Sequence, residues 1–319
     1  MGTHLNTTTQ LDRRQCLAFS AASLAGLVMM QRSASAQAQT ALPAVATFSI
    51  LADFVRQVAG ERIALTTLVS AGADAHVYSP TPADARALAA ARLVFVNGFG
   101  FEGWVSRLIR SSGTKATVVT TTKGITALKA EQADQGHAGH SHGENDPHAW
   151  QSVANAKIYV ANIVAALTEA DPAGKDNFVA NAKAYDAQLD ALEAEIRTAL
   201  ARISPDRRKV ITSHDSFRYF EKDYGISFVS PRGVSTSAEP SAQAVGRIIR
   251  QIRAEKIPAV FLENITDGRL MKRIADETGA RIGGTLYSDA LTPPGGPAST
   301  YIAMMQHNVR QIVGALVTA

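Results

Sequence analysis

Short apolar segments alternate with amphipathic segments along most of the chain. Ile63 to Leu68 and Leu93 to Val96 carry no charged residue and are mostly apolar, which predicts strands. Pro82 to Ala91, between them, has helical character, and Thr81 with Asp84 forms a capping-box pattern at its start. Strands that alternate with helices are typical of a parallel sheet covered by helices, so we expect an α/β fold.

The remaining elements follow the same alternation. The pattern predicts strands at 44–50, 117–120, 210–213, 226–229, 259–262 and 282–285. It predicts helices at 53–59, near 152, and at 217–224, 241–255, 269–278 and 299–318. No clear sequence repeat relates the first half of this series to the second.

The middle of the chain departs from this alternation. Asp171 and Pro172 predict a helix start, and apolar residues then recur at steps of three or four as far as Ile203. The spacing predicts one helix of about 28 residues, about 40 Å long. We therefore expect two lobes with a ligand cleft between them, and the alternative is a single large α/β enzyme domain with one long surface helix. The expected divisions are an N-terminal α/β lobe at 39–170, a linking helix at 171–204 and a C-terminal α/β lobe at 205–319.

Residues 1–38 have the pattern of a secretory signal peptide. Arg13 and Arg14 precede the apolar stretch Leu17 to Met30, and small residues follow it. The stretch is about 14 residues long, whereas about 20 are needed to span a bilayer. The pattern leaves both Sec and twin-arginine export open and predicts a periplasmic protein.

Composition narrows the function classes. Hydrophobic residues make up 46% of the 319 residues and charged residues 19%, which excludes a disordered chain. The net charge is only +4 and no basic cluster is present, so nucleic acid is not an expected partner. The single cysteine, Cys16, precedes the apolar stretch of the leader and is not placed to carry a lipid anchor. We therefore expect no lipid anchor, and a metal site with nitrogen and oxygen ligands only.

Three histidines lie in one short polar tract. His137, His140 and His142 fall within residues 135–148, which lack apolar periodicity and predict a loop. A histidine-rich tract of this kind is typical of auxiliary zinc binding, and the alternative is a solvated polar loop.

Four further residues occupy more specific positions. His76, His148, His214 and Asp289 each lie where a predicted strand gives way to a predicted helix. Ligand sites of open α/β sheets form beyond the carboxyl ends of strands, so all four can face one cleft, two from each lobe. From the pattern alone, a shared metal site and four unrelated loop residues are about equally supported.

Several stretches resemble the solute-binding protein family 9, the TroA-like periplasmic zinc- and manganese-binding proteins of ABC importers. They cover nearly the whole chain beyond the leader and include FSILADFVRQVAG, DAHVYSPTPAD, VNGFGFEGW, NDPHAW, SHDSFRYFEKDYG, AEPSA, RIADETGARIGG and LYSDALT. The resemblance implies two α/β lobes joined by one long backbone helix. It also implies that His76, His148, His214 and Asp289 are the metal ligands.

The resemblance further implies a choice of metal. Manganese members of the family tend to have a carboxylate at the third ligand position, where this chain has His214. Three imidazoles and one carboxylate favour Zn²⁺, and the histidine tract before His148 is similar to that of zinc members; Mn²⁺ is the alternative. Because ligating histidines are neutral, we expect metal affinity to fall as pH drops through about 6.5.

Neighbouring acidic residues have two interpretations. Asp74, Asp146 and Asp215 are close enough in sequence to orient the histidines, but turn and capping roles are favoured. Glu102 and Glu239, together with Glu263, are interpreted either as structural residues or as surface contacts with a membrane partner.

The expected function is therefore capture of Zn²⁺ and its delivery to an inner-membrane ABC permease with its ATPase. We expect a monomer, and a periplasmic zinc metallochaperone is a further expected partner. A zinc-dependent hydrolase is the alternative from another class. Asp289 fills the fourth position that a catalytic zinc leaves open for water, and HExxH, GxSxG and GxxxxGK[ST] motifs are absent from the sequence, so no enzyme is expected.

Overall fold

The computed structural model describes residues 1–2, 41–130 and 145–317. The chain divides into two units, Met1–Thr40 and Ala41–Ala319, and every helix and strand given below lies in the second. The predicted signal peptide at 1–38, from its third residue onwards, and the three histidines of the polar tract lie outside the described residues.

The N-terminal half is built on a sheet of four parallel strands in the order β2-β1-β3-β4. These are β1 (Leu42–Phe48), β2 (Ile63–Val69), β3 (Leu93–Val96) and β4 (Thr117–Thr120). The intervening helices are α1 (Ser49–Ala59), α2 (Pro82–Ala90) and α3 (Val105–Ser112). The sequence pattern does not predict α3, because this helix is short and buries only Leu108, which gives almost no periodic signal. The capping box predicted at the start of α2 is present.

Two longer helices follow. They are α4 (Val153–Ala170) and α5 (Lys175–Leu200), separated by a single 3-10 turn, Pro172–Gly174. The predicted long helix is confirmed in α5, which has 26 residues, but it begins later than expected. The predicted cap is wrong, because the Asp171 carboxylate accepts hydrogen bonds from the guanidinium of Arg62 at 2.7 and 2.9 Å instead. No helix among the described residues is long and apolar enough to cross a membrane.

The C-terminal half repeats the architecture of the first. Its four parallel strands have the order β6-β5-β7-β8, the same topology as the N-terminal sheet. They are β5 (Lys209–Ile211), β6 (Ser227–Val229), β7 (Ala259–Glu263) and β8 (Arg281–Leu286). The helices are α6 (Arg218–Tyr224), α7 (Ala242–Glu255), α8 (Arg269–Thr278) and α9 (Tyr301–Val317). The predicted α/β class, with two parallel sheets, is confirmed, while the exact lobe boundaries stay predictions.

One hydrophobic core extends through both halves. It includes Phe54 of α1, Tyr159 of α4, Leu189 of α5, Phe261 of β7 and Tyr301 of α9, all fully buried. The rings of Phe54 and Tyr301 lie 4.7 Å apart although they come from opposite ends of the chain. Separating the halves would expose this apolar surface to water, which costs about 25 cal/mol of free energy for each Å² exposed. The shared core therefore fixes the loops at the ends of the two sheets relative to each other.

Candidate metal centre

Four side chains from four separate loops meet between the two halves. His76, His148, His214 and Asp289 each offer one donor atom, and these atoms all lie within 4.8 Å of one another. The side chain of His76 is almost fully buried and those of the other three are fully buried. The structure thus brings together every residue of the predicted main site.

The spacing of the donor atoms suits a small metal ion. Nε2 of His76 lies 3.3 Å from Nε2 of His148 and 3.1 Å from Oδ2 of Asp289. Nε2 of His214 lies 3.2 Å from the same carboxylate oxygen. A tetrahedral Zn²⁺ with bonds of about 2.0–2.1 Å has ligand atoms roughly 3.3–3.4 Å apart. The other oxygen, Oδ1, lies 3.6 Å from Nε2 of His148, so both carboxylate oxygens face the imidazoles.

His148 is oriented by Asp146, two residues before it. Oδ1 of Asp146 accepts a hydrogen bond from the backbone N–H of His148 at 2.9 Å and lies 2.7 Å from Nδ1 of the ring. This contact turns Nε2 towards the other ligands and fixes the tautomer that binds metal. The interpretation of Asp146 as a turn residue alone was therefore wrong, since it also contacts the ring.

His214 is oriented by Glu263. The sequence pattern does not predict this contact between the carboxylate and the ring. Oε1 of Glu263 accepts hydrogen bonds from the backbone N–H groups of Ser213 and His214 at 2.8 and 3.0 Å. Oε2 lies 2.7 Å from Nδ1 of His214. Glu263 ends β7, the strand beside β5 that leads into His214, so the rule about strand ends could have found it once the strand order was known.

His76 is supported through its backbone. Oδ1 of Asp74 accepts a hydrogen bond from the N–H of His76 at 2.8 Å, which is the turn role favoured from the sequence. The ring meets that of Phe101 edge-on at 4.7 Å. Asp215 is the third acidic residue considered as a support for a ligand histidine. Its carboxylate lies 3.9 Å from the guanidinium of Arg218, so this contact is with an arginine and not with a ligand ring.

The loop that carries Asp289 is held by groups of the N-terminal half. The indole N–H of Trp150 and the amide of Gln151 both donate to the carbonyl of Ser288, at 2.9 and 2.8 Å. These two donors lie in the short 3-10 turn, Ala149–Gln151, that directly follows His148. The segment that positions His148 therefore also positions the neighbouring carboxylate ligand.

A second pair of bonds holds the other side of this loop. The N–H of Leu291 donates to the hydroxyl of Ser49 at 3.0 Å, and its carbonyl accepts from the N–H of Gly72 at 2.8 Å. Asp289 belongs to the C-terminal half by sequence, and its loop is bonded to both halves, because the side-chain amide of Asn264 also donates to the carbonyl of Ala290 at 3.2 Å.

Two other glutamates lie apart from the ligand rings. Glu102 is buried, and its Oε1 accepts hydrogen bonds from the hydroxyl of Thr47 at 2.5 Å and the N–H of Asn97 at 2.8 Å. It is thus structural, one of the two roles expected. Glu239 has a largely exposed side chain that contacts the buried Arg232.

Burial and nearby carboxylates together decide protonation in the site. Burial lowers the pKa of His76. Burial also opposes protonation of His148, but the negative charges of Asp289 and Asp146 outweigh the effect of burial and raise the pKa of His148 to about 9. The same balance raises the pKa of His214 well above its usual value. Burial would raise the pKa of Asp289, yet His214 and His148 lower it well below its usual value. Protons and a metal ion therefore compete for one anionic cavity.

Comparison with known proteins places this arrangement in a family. Residues 44–315 match the family model of ZnuA, the periplasmic zinc-uptake complex component A. The manganese-binding lipoprotein MntA of Halalkalibacterium halodurans is 35% identical over 275 residues, which cover 86% of this chain and 88% of that protein. The iron-binding protein YfeA of Yersinia pestis is 36% identical over 268 residues, or 84% of each chain.

A solved structure gives the same assignment. The periplasmic zinc-binding protein TroA from Treponema pallidum matches with a TM-score of 0.79 and 30% identity, over 86% of this chain and 99% of its own. Relatives are thus named for manganese, iron and zinc, so metal binding is common to them and the metal is not. Several are named lipoproteins, which conflicts with the prediction that this chain has no lipid anchor. Cys16 itself lies outside the described residues.

The contact between Glu263 and His214 gives the first prediction. Glu263→Gln keeps the shape of the side chain but removes the charge that faces Nδ1, so metal affinity should fall about 10- to 100-fold. Chelator-competition titration measures this change. Glu102→Gln makes the same substitution at a buried carboxylate that contacts Thr47 and Asn97, and its affinity should stay within about threefold of wild type. Equal losses in both variants would contradict a specific role for Glu263.

The raised pKa of His148 gives the second prediction. With a pKa of about 9, His148 binds a proton at neutral pH in the metal-free protein, and the metal must displace it. Affinity should therefore fall as pH falls, by about tenfold per pH unit for each proton released, and the decline should begin well above pH 6.5. Titration calorimetry in two buffers of different ionisation enthalpy counts the released protons. Binding without proton release at pH 7.5 would show that this protonation is wrong.

Proposed function

Because the chain belongs to the ZnuA family of metal-binding proteins of ABC importers, we propose that it captures Zn²⁺ in the periplasm and delivers it to an inner-membrane permease with its ATPase. The observation that carries the proposal is the buried group of three imidazoles and one carboxylate with inward-facing donor atoms. The family consists of solute-binding proteins of metal transporters and not of enzymes, so the hydrolase alternative is wrong.

The donor set favours zinc. Three imidazole nitrogens suit Zn²⁺ better than Mn²⁺, and three of the donor separations, at 3.1 to 3.3 Å, are close to the edges of a tetrahedron. The Irving–Williams order also makes such a site tighter for Zn²⁺ than for Mn²⁺. Support for zinc therefore comes from ligand chemistry, while the names of the relatives support manganese equally.

Manganese is the second candidate for a specific reason. Both oxygens of Asp289 face the histidines, so a bidentate carboxylate would raise the coordination number above four. Higher coordination with oxygen donors suits Mn²⁺. The choice between the two metals thus depends on whether Asp289 supplies one oxygen or two.

The histidine tract is proposed as an auxiliary collector of Zn²⁺. Lys129 and Asn145 flank the residues outside the described ranges and pair with each other as an antiparallel bridge. Asn145 also lines the cavity beside His76. The described residues that flank the tract are therefore paired, and one of them lines the same cavity as His76, which supports transfer of metal from His137, His140 and His142, alone or from a metallochaperone, to a monomeric protein.

The choice of metal gives the third prediction. Protein purified without a histidine tag should contain one tightly bound Zn²⁺ per chain by elemental analysis. His214→Asp, which gives two imidazoles and two carboxylates, should lower the ratio of Zn²⁺ to Mn²⁺ affinity at least about tenfold in competition titrations. The matched control is His307→Ala, because His307 contacts the carbonyl of Thr285 outside the centre. Wild-type protein without zinc affinity at neutral pH would overturn the proposed function.

The tract gives the fourth prediction. Replacing His137, His140 and His142 by glutamine keeps its length and removes its imidazoles, so Zn²⁺ loading at submicromolar metal should slow while the equilibrium affinity stays unchanged. Stopped-flow tryptophan fluorescence follows loading, because the Trp150 ring lies 5.3 Å from that of His148. A variant without residues 131–144 should load as slowly as the glutamine variant. Loading at the wild-type rate in both would reject the proposed collector.

A further inference from the structure

A cavity that is partly open to solvent has His76 in its lining. Its volume is about 110 Å³, and residues of both halves line it, among them Phe99, Phe101, Pro147, Val234 and Ser235. The side chain of His76 is 4% exposed, whereas those of the other three grouped residues are fully buried. An ion that reaches the centre by this cavity meets His76 first.

His76 is also the histidine whose ring has the least support. His148 and His214 each direct Nδ1 at a buried carboxylate 2.7 Å away. Apart from its contacts with the other three ligand residues, the hydrogen bond that His76 makes in the described part of the chain is the one from its backbone N–H to Asp74. The position of the His76 ring thus depends on the loop that carries it.

The carboxylate of Asp74 joins that loop to the other half. One oxygen, Oδ1, accepts the N–H of His76 at 2.8 Å. The other, Oδ2, accepts the hydroxyl of Thr236 at 2.5 Å. Thr236 lies between Ser235 and Ser237, which line the cavity. One side chain therefore holds the outermost histidine and the opposite wall of the mouth at the same time.

We propose that the hydrogen bond from Thr236 to Asp74 is a latch across the mouth of the centre, and that metal enters and leaves past His76 when this bond breaks. The inference rests on the proposed function, since it concerns the passage of the captured ion. The latch lies outside the set of donor atoms. It therefore sets the barrier that the ion crosses in both directions, while the four donors set the affinity.

Thr236→Val tests the latch, because valine has the shape of threonine without the hydroxyl. Loss of one hydrogen bond should raise both the association and the dissociation rate constants of Zn²⁺ about 3- to 10-fold, with Kd within about threefold of wild type. Thr236→Ser keeps the hydroxyl and should match wild type. Dissociation is measured by a chelator chase of zinc-loaded protein, and association by stopped-flow fluorescence.

Each outcome decides one question. An unchanged dissociation rate in Thr236→Val overturns the latch, and so does a weaker Kd with an unchanged association rate, which would mean that Thr236 only stabilises the loaded form. Equal acceleration in Thr236→Ser also overturns it, because the hydroxyl would then be irrelevant. Wild-type protein that binds no metal would overturn the proposed function instead, a result that the stoichiometry of the loaded sample reveals before any rate is measured.

Discussion

The fully buried carboxylate of Asp289 imposes the main constraint on this molecule. An ionised carboxylate removed from water is costly unless positive charge lies close to it. His148 and His214 meet this need by binding protons, or all three imidazoles meet it by sharing a metal ion, and they must be buried with it. His148 and His214 then require a carboxylate close to Nδ1, which Asp146 and Glu263 provide at 2.7 Å. The chain of buried polar contacts thus starts from one negative charge.

The same constraint explains why the Asp289 loop is tied to the opposite half. A ligand on a loop with free peptide groups would shift with every fluctuation of that loop, and metal affinity falls steeply when ligands are displaced. The peptide groups of Ser288 and Leu291 instead bond to groups of the N-terminal half. The carboxylate is thereby held in register with His148, whose own segment supplies two of the donors. The two halves contribute to one rigid centre on top of their common core.

Sequence reasoning reached the elements governed by local rules. Alternating apolar segments located the strands, and the rule about strand ends selected the four grouped residues. It did not reach Glu263 as the partner of His214, nor the bonds on Ser288 and Leu291, since those depend on which strands are neighbours across about 50 to 240 residues. The error at Asp171 has the same origin, because a distant arginine competes for the side chain that local capping rules assign to the helix.

The hydrophobic core shared by the two halves limits how a receptor can distinguish the metal-bound protein from the metal-free protein. Swinging the halves apart would expose rings such as Phe54 and Tyr301, so the shared core opposes a large change of outline on metal binding. A receptor that must tell them apart therefore cannot rely on overall shape. It has to recognise a small area of surface around the cavity beside His76, where the conformation of a few loops depends on whether the metal site is filled. Metal binding is thus detectable at these loops alone, and a receptor specific for the metal-bound form would have its binding surface there.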